Sequence, residues 1–164
     1  MRLLALLAFI LLAGCGLRPL YGGLGGESIS STLRTVSVAP IEGQSGWLVR
    51  NKLRDRLGAD EGDDRTYRLV VTLDDNLTAF GIRGDRAATF ERRTLRARYQ
   101  LIESKTGAVL LDATAGSDAG IDIVSSEYAT VAAEQSALER LSDQLADQIV
   151  TRLALFASRT GAAK

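Results

Sequence analysis

Histidine is absent from all 164 residues of this chain. That absence removes the commonest general base, the commonest metal ligand and any Ser-His-Asp triad. Cysteine occurs once, at Cys15, so no internal disulfide framework can form. An excess of charge of either sign is missing too, because 20 Lys and Arg face 20 Asp and Glu. A nucleic-acid-binding domain would normally be strongly basic, and this one is not. Beyond residue 13, no stretch is apolar over the roughly 20 residues that a membrane-spanning helix needs. The body of the chain therefore reads as a soluble domain, in which only carboxylates are left to test as catalytic groups.

What is present begins at the N-terminus. Met1-Arg2 is short and positive, and Leu3 to Ala13 is an almost unbroken apolar run. The run is too short to span a bilayer but suits the apolar region of a signal peptide. It ends in Leu12-Ala13-Gly14-Cys15, which resembles the lipobox of bacterial lipoproteins at every position. The motif implies cleavage before Cys15, a diacylglycerol on its sulfur and an acylated amine. Gly16, rather than Asp, follows the cysteine, which by analogy with enterobacterial sorting favours the outer membrane. Four glycines between Gly22 and Gly26 then make a flexible tether. No Gly-Lys-Ser/Thr follows them, so a phosphate-cradling loop is unsupported.

Hydrophobic period divides the remainder. Thr35 to Pro40 alternates and stops at proline, as a strand does. Val49, Leu53 and Leu57 recur at helical spacing between Gly46 and Gly58, where glycine can supply a left-handed cap. Tyr67, Leu69, Val71 and Leu73 alternate as a half-buried strand. A turn region containing Gly81 and Gly84 leads to the longest strand signal, Ala88 to Glu103. Lys105-Thr106-Gly107 turns the chain into a partner strand at Val109, Leu111 and Ala113. Gly116 to Ser126 reads as a polar loop. Val131, Leu138, Leu141, Leu145, Ile149, Leu153 and Phe156 then mark one apolar stripe on a long helix from about Glu127 to Ala157. The acids Glu139, Asp143 and Asp147 form a second stripe, which reads as a solvated face.

The order β-α-β-β-β-α predicts an α+β two-layer sandwich, a four-stranded, mostly antiparallel sheet with two helices on one face. The division expected is a cleaved signal peptide over 1–14, a lipid-anchored tether over 15–33, one α/β domain over 34–158 and a tail over 159–164. Removing 14 residues from 164 leaves 150, ample for one core.

Two carboxylate clusters, Asp74-Asp75-Asn76 and Asp118 with Asp122, lack the spacing of a calcium loop and read as turn-forming groups. No Gly-x-Ser-x-Gly elbow occurs, so the chain is expected not to be an enzyme. The electrostatic feature is local. Arg83, Arg86, Arg92, Arg93, Arg96 and Arg98 stand against only Asp85 and Glu91 between residues 83 and 98. Alternation places Arg92, Arg96 and Arg98 on one strand face. Guanidinium forks bind phosphate and carboxylate bidentately, so a partner bearing those groups is one reading. The other is a solvated strand whose arginines pair with acids such as Asp112.

The run Cys15-Gly16-Leu17-Arg18-Pro19-Leu20-Tyr21-Gly22 resembles the mature N-terminus of the LptE lipopolysaccharide-assembly lipoproteins, especially alphaproteobacterial ones. Leu145 to Ala154 is similar to the end of that family's last helix, and the element order agrees. The resemblance implies an outer-membrane lipoprotein facing the periplasm, seated as a plug in the LptD-type β-barrel and binding lipopolysaccharide, without catalysis, metal or cofactor. It implies a phosphate contact at Arg83, while Ala129 to Ala133 lacks the basic residue some relatives carry; Arg86, Arg92 and Arg93 are the candidates to replace it. Two other classes compete: an accessory lipoprotein of an envelope ABC transporter, and an anchored enzyme using Asp74, Asp75, Asp118 or Asp122.

Overall fold

The computed structural model describes residues 26–58, 65–82 and 88–161. The chain runs through α1 (Gly26–Arg34), β1 (Val36–Val38), α2 (Gly43–Leu57), β2 (Tyr67–Ile82), β3 (Ala88–Glu103), β4 (Val109–Asp122) and α3 (Glu127–Gly161). One sheet holds all four strands in the order β1-β2-β3-β4. β1 lies parallel to β2, as a crossover through α2 requires, and the other two pairs are antiparallel. This is the α+β architecture that the pattern predicts, with a third helix added.

That helix, α1, occupies sequence assigned to the tether. Ile29 and Leu33, four residues apart, are buried in the main core, and α1 packs chiefly against α3. The glycine-rich run before it masks a single-turn apolar pair that tertiary contact completes. The tether expectation for residues 15–25 lies outside the described residues.

Period-two alternation fixes which side of each strand meets the helices. Leu69 and Val71 of β2, Leu95, Ala97, Tyr99 and Leu101 of β3, and Ile121 of β4 are all buried. They are odd-numbered, and the register keeps odd residues opposite odd ones across β2, β3 and β4 until the irregularity at Leu101/Ile102. Val49, Leu53 and Leu57 of α2 meet this layer with Leu138, Leu141, Leu145, Ile149 and Leu153 of α3. Ser142, buried among them, donates its hydroxyl to the Leu138 carbonyl at 2.8 Å, so no polar group is stranded there.

α2 and α3 run side by side in the same direction, since Gln44 meets Gln135 and Arg56 meets Asp147. The acidic stripe of α3 is thus not merely solvated. Asp143 takes Lys52 at 3.2 Å and Arg56 at 3.2 Å, and Asp147 takes Arg56 at 2.5 Å. Burial pushes the Asp143 carboxyl up, but hydrogen bonds from Lys52 and Arg56 outweigh it and hold the group below its usual range. α2 ends at Gly58, whose φ of 61° is the left-handed cap conformation, its N–H donated to the Arg54 carbonyl.

β2 and β4 both run further than alternation alone suggests. β2 continues through Asp74-Asp75-Asn76 to Ile82, and β4 continues through Gly116 and Gly120 to Asp122. Asp74-Asp75-Asn76 and Asp118 therefore lie inside strands, and Asp122 is the last residue of β4. The edge of β4 is partly closed by α3. The Gly116 N–H donates to Gln148 Oε1 at 3.2 Å, and Gln148 Nε2 donates to the Gly116 carbonyl at 3.3 Å. A side-chain amide thereby takes the place of a further strand at that point.

Candidate functional site: the open face of the sheet

All helices pack on the odd-numbered side, which leaves the even-numbered side of β2, β3 and β4 uncovered. Rows across that face follow from the register: Val70, Gln100, Asp112; Thr72, Arg98, Thr114; Asp74, Arg96, Gly116; Thr78, Arg92, Gly120; and Phe80, Phe90, Asp122. An open hollow of about 690 Å³ lies over its middle, edged by Thr72, Asp74, Arg96, Arg98 and Thr114.

The four described arginines of the sequence cluster separate into three situations. Arg98 forms a two-pronged pair with Asp112, Nε to Oδ1 at 3.1 Å and NH2 to Oδ2 at 2.7 Å. Gln100 adds a third hydrogen bond to Asp112 Oδ2 at 2.9 Å. Arg96 donates to the Ser117 carbonyl at 3.0 Å and stands 3.6 Å from Asp118. Its stem lies across Gly116, where an added Cβ would come within 2.4 Å of Arg96 Cδ. In the same way the Phe90 ring lies on Gly120, 2.6 Å from the place a Cβ would take. These two glycines are strand residues because long side chains of β3 need the room, which is why β4 resembles a loop in composition.

Arg93 is odd-numbered and points to the helix side instead. It grips Asp75 through Nε at 2.9 Å and NH2 at 2.8 Å, and reaches the main-chain carbonyl of Glu134 on α3 at 3.4 Å. The hydrogen bonds that Arg93 donates to Asp75 raise the Arg93 pKa against the opposing effect of burial. Arg92 alone of the four has no acidic partner among the described residues; its guanidinium sits 5.3 Å from the centroid of the Phe80 ring. Arg83, Arg86 and Cys15 lie outside the described residues.

The face as a whole is electrically balanced. Arg68, Arg92, Arg96 and Arg98 stand on it with Asp74, Asp112, Asp118 and Asp122. The solvated-pair reading thus describes Arg96 and Arg98, and the cationic surplus narrows to Arg92 at the end nearest the β2–β3 connection. Among the described residues no group of three or more His, Cys, Asp or Glu is placed to hold a metal ion. Asp75 and Asp118 are engaged by arginine.

The Arg98–Asp112 pair makes a testable titration. The hydrogen bonds from Arg98 and then Gln100 hold Asp112 down at about 2. A depressed carboxyl contributes stability above its unfolded value, and that contribution is lost as pH falls through about 2. In Arg98→Ala, the Asp112 carboxyl followed by carbon NMR is expected to titrate higher, nearer an ordinary aspartate. An unmoved midpoint would show that the pair does not persist in solution.

The family model for LptE, described as lipopolysaccharide-assembly, matches residues 33–153, from the end of α1 to the last turns of α3. The chain belongs to this family. Membership makes it an envelope lipoprotein with a role in lipopolysaccharide assembly. A candidate lipoprotein from Caulobacter crescentus has a similar structure, with 26% identity and a TM-score of 0.69 over 80% of this chain and 96% of that one. A minor lipoprotein from Acinetobacter baumannii (15% identity, TM-score 0.61, 74% and 92% covered) shares the fold. So does the rare lipoprotein B from Shewanella oneidensis, at 12% identity and a TM-score of 0.56, with 79% and 98% covered. The comparison with curated proteins finds no match.

Within the LptE-type fold, one feature escapes the reading of the sequence. Phe80 and Phe90 are direct cross-strand partners on the open face, ten residues apart across a connection, with Arg92 against the Phe80 ring. Both are even-numbered, and alternation counted outward from Leu77 and from Leu95 is the signal that puts them on the same side.

Proposed function

We propose that this chain is an outer-membrane lipoprotein that plugs the LptD-type β-barrel translocon, helps that barrel assemble, and assists lipopolysaccharide on its way to the outer leaflet. The observation that carries the reading is the family match over residues 33–153. The lipobox at Cys15 supports the anchor, and the Gly16 that follows it supports sorting to the outer membrane. A balanced, hydrogen-bonding sheet face suits a protein that stands inside a polar barrel lumen, where a strongly charged or apolar face would not. Lipopolysaccharide phosphates would be met at the β2–β3 end, where Arg92 has no acidic partner among the described residues and where Arg83 and Arg86 follow β2 in sequence. The role is one of binding and assembly, with no reaction and no cofactor.

The test is a pull-down of the tagged, lipidated full chain in mild detergent, with copurifying proteins identified by mass spectrometry. A large outer-membrane barrel is expected in one-to-one proportion. Recovery of inner-membrane transporter subunits without a barrel would replace this reading with that of a transporter accessory lipoprotein.

A further inference from the structure

An open strand edge is a template for another strand, and proteins blunt such edges with proline, lysine, bulges or short length. β4 is poorly protected in these ways. It is 14 residues long and contains neither proline nor lysine, and its register shift against β3 falls near one end, at Leu101/Ile102. Which of its backbone groups face outward follows from Gly116. The Gly116 N–H and carbonyl both go to the Gln148 side chain, so they point away from β3, and Arg96–Gly116 is a non-hydrogen-bonded pair. Antiparallel pairs alternate, so Asp112, Thr114, Asp118 and Gly120 turn their N–H and carbonyl groups to the same open side. Among the described residues no backbone group meets them there.

The edge is closed at Gly116, and what closes it is an amide. The Gln148 side chain carries an N–H donor and a carbonyl acceptor, the two groups that a residue of an added strand would offer. Its neighbours on α3, Leu145 and Ile149, are both 0% exposed and hold it over the edge. One turn away, Gln144 accepts the Ser117 hydroxyl at 2.6 Å.

The position of this plug identifies what it keeps out. Gly116 is the middle of the outward run from Asp112 to Gly120. A second β4 laid antiparallel about a two-fold axis at Gly116 sets Gly116 against Gly116, Thr114 against Asp118, and Asp112 against Gly120. No acid then stands directly opposite an acid. Sliding the second strand by two residues sets Asp112 against Asp118 in one direction and against Asp122 in the other, which is destabilising. Asp112 and Asp118 also carry Arg98 and Arg96 of β3 beside them, which lowers the charge barrier to approach.

We propose that the β4 edge is a pairing surface for a second copy of this chain, and that the Gln148 amide keeps it shut. The one register that pairs the whole outward run with itself has its centre where Gln148 sits. Removing the amide leaves the Gly116 groups as open as their neighbours, and two copies then join their sheets into one. This inference does not rest on the export reading.

The test compares wild type with Gln148→Ala, each as the lipidated full chain in excess detergent, by size exclusion with light scattering that separates protein mass from micelle mass. Wild type is expected to hold one chain per micelle. Gln148→Ala is expected to hold two, a doubling of protein mass, and to gain about tenfold or more hydrogen-exchange protection at the Thr114 and Asp118 amides. Gln148 is exposed and alanine is the better helix former, so the variant keeps its fold. Adding Thr114→Pro should restore one chain, because proline removes an outward N–H that no bond inside the sheet uses. A Gln148→Ala protein that stays single overturns the proposal. So does a doubled mass without new protection at Thr114 and Asp118, or one that Thr114→Pro leaves unchanged, because the contact then lies elsewhere. A variant that is single when pure but leaves the cell with a different chain protecting those two amides overturns self-pairing and makes another protein's strand the occupant.

Discussion

Leu145→Ala is expected to lower the unfolding free energy by about 2–5 kcal/mol, the range for deleting a buried leucine and leaving a cavity. Leu145 is 0% exposed and lies midway along α3, with Leu141 and Ile149 one turn to either side and the sheet and α2 beneath. Three elements, α2, α3 and the sheet, meet there, so no single neighbour can move in to fill the space. Val131→Ala is the matched control, because Val131 belongs to the same apolar stripe in sequence yet is 56% exposed. It is expected to change stability by no more than about 0.5 kcal/mol in either direction. Urea unfolding followed by circular dichroism measures both, with an unchanged slope showing that the same surface is exposed in each. Equal costs at the two positions would mean that the first turns of α3 are packed as tightly as its middle, against the burial pattern.

That pair of residues also shows where sequence reading stops. The stripe from Val131 to Phe156 identifies the helix and its inner face, because a period of 3.6 is a property of the helix alone. Whether the stripe is covered at a given turn depends on where the sheet ends, and that is set by β2 and β4. The strands show the same limit. Leu69, Val71, Leu95, Ala97, Tyr99 and Leu101 were legible as one buried face, since alternation is local. The continuation of β4 through Gly116 and Gly120 was not, because those glycines accommodate Arg96 and Phe90 of the next strand. α1 was hidden for a related reason: Ile29 and Leu33 are two residues beside a glycine run, and only α3 gives them something to bury against.

The arginine cluster was legible as a cluster and illegible as a site. Counting along β3 puts Arg92, Arg96 and Arg98 on one face and Arg93 on the other. It does not say that Arg98 finds Asp112, 14 residues away, or that Arg93 finds Asp75, 18 residues back. Those pairings require the register of three strands, and they turn an apparent anion-binding plane into a balanced surface with its surplus at Arg92. The acidic stripe of α3 is a solvated face as its spacing suggests, but the ion pairs of Asp143 and Asp147 are illegible for the same reason, since their cations come from α2, 87 and 91 residues earlier.

Membrane attachment, in contrast, rests on sequence alone, and its loss is expected to have the largest effect of any change. Each buried methylene contributes about 0.8 kcal/mol, so the two or three acyl chains expected on Cys15 would together hold the protein by on the order of 20 kcal/mol or more. Among the described residues no helix is long and apolar enough to cross a membrane, so none of them offers a helical substitute. Exporting the chain on an ordinary cleavable secretion signal, with Gly16 as its first residue, is therefore expected to move it from the membrane pellet to the soluble periplasm. Intact-mass measurement of the natural protein should show residues 1–14 gone and the mass of the acyl groups added at Cys15. In cells that produce an LptD-type barrel, the proposed partner, some unlipidated chain is expected to remain in the pellet, held by protein contact. In cells lacking that partner none should remain. Unlipidated protein that stays membrane-bound without the barrel would mean that a surface of the folded domain binds lipid directly, and the anchor would then be an aid to orientation and no longer the cause of attachment.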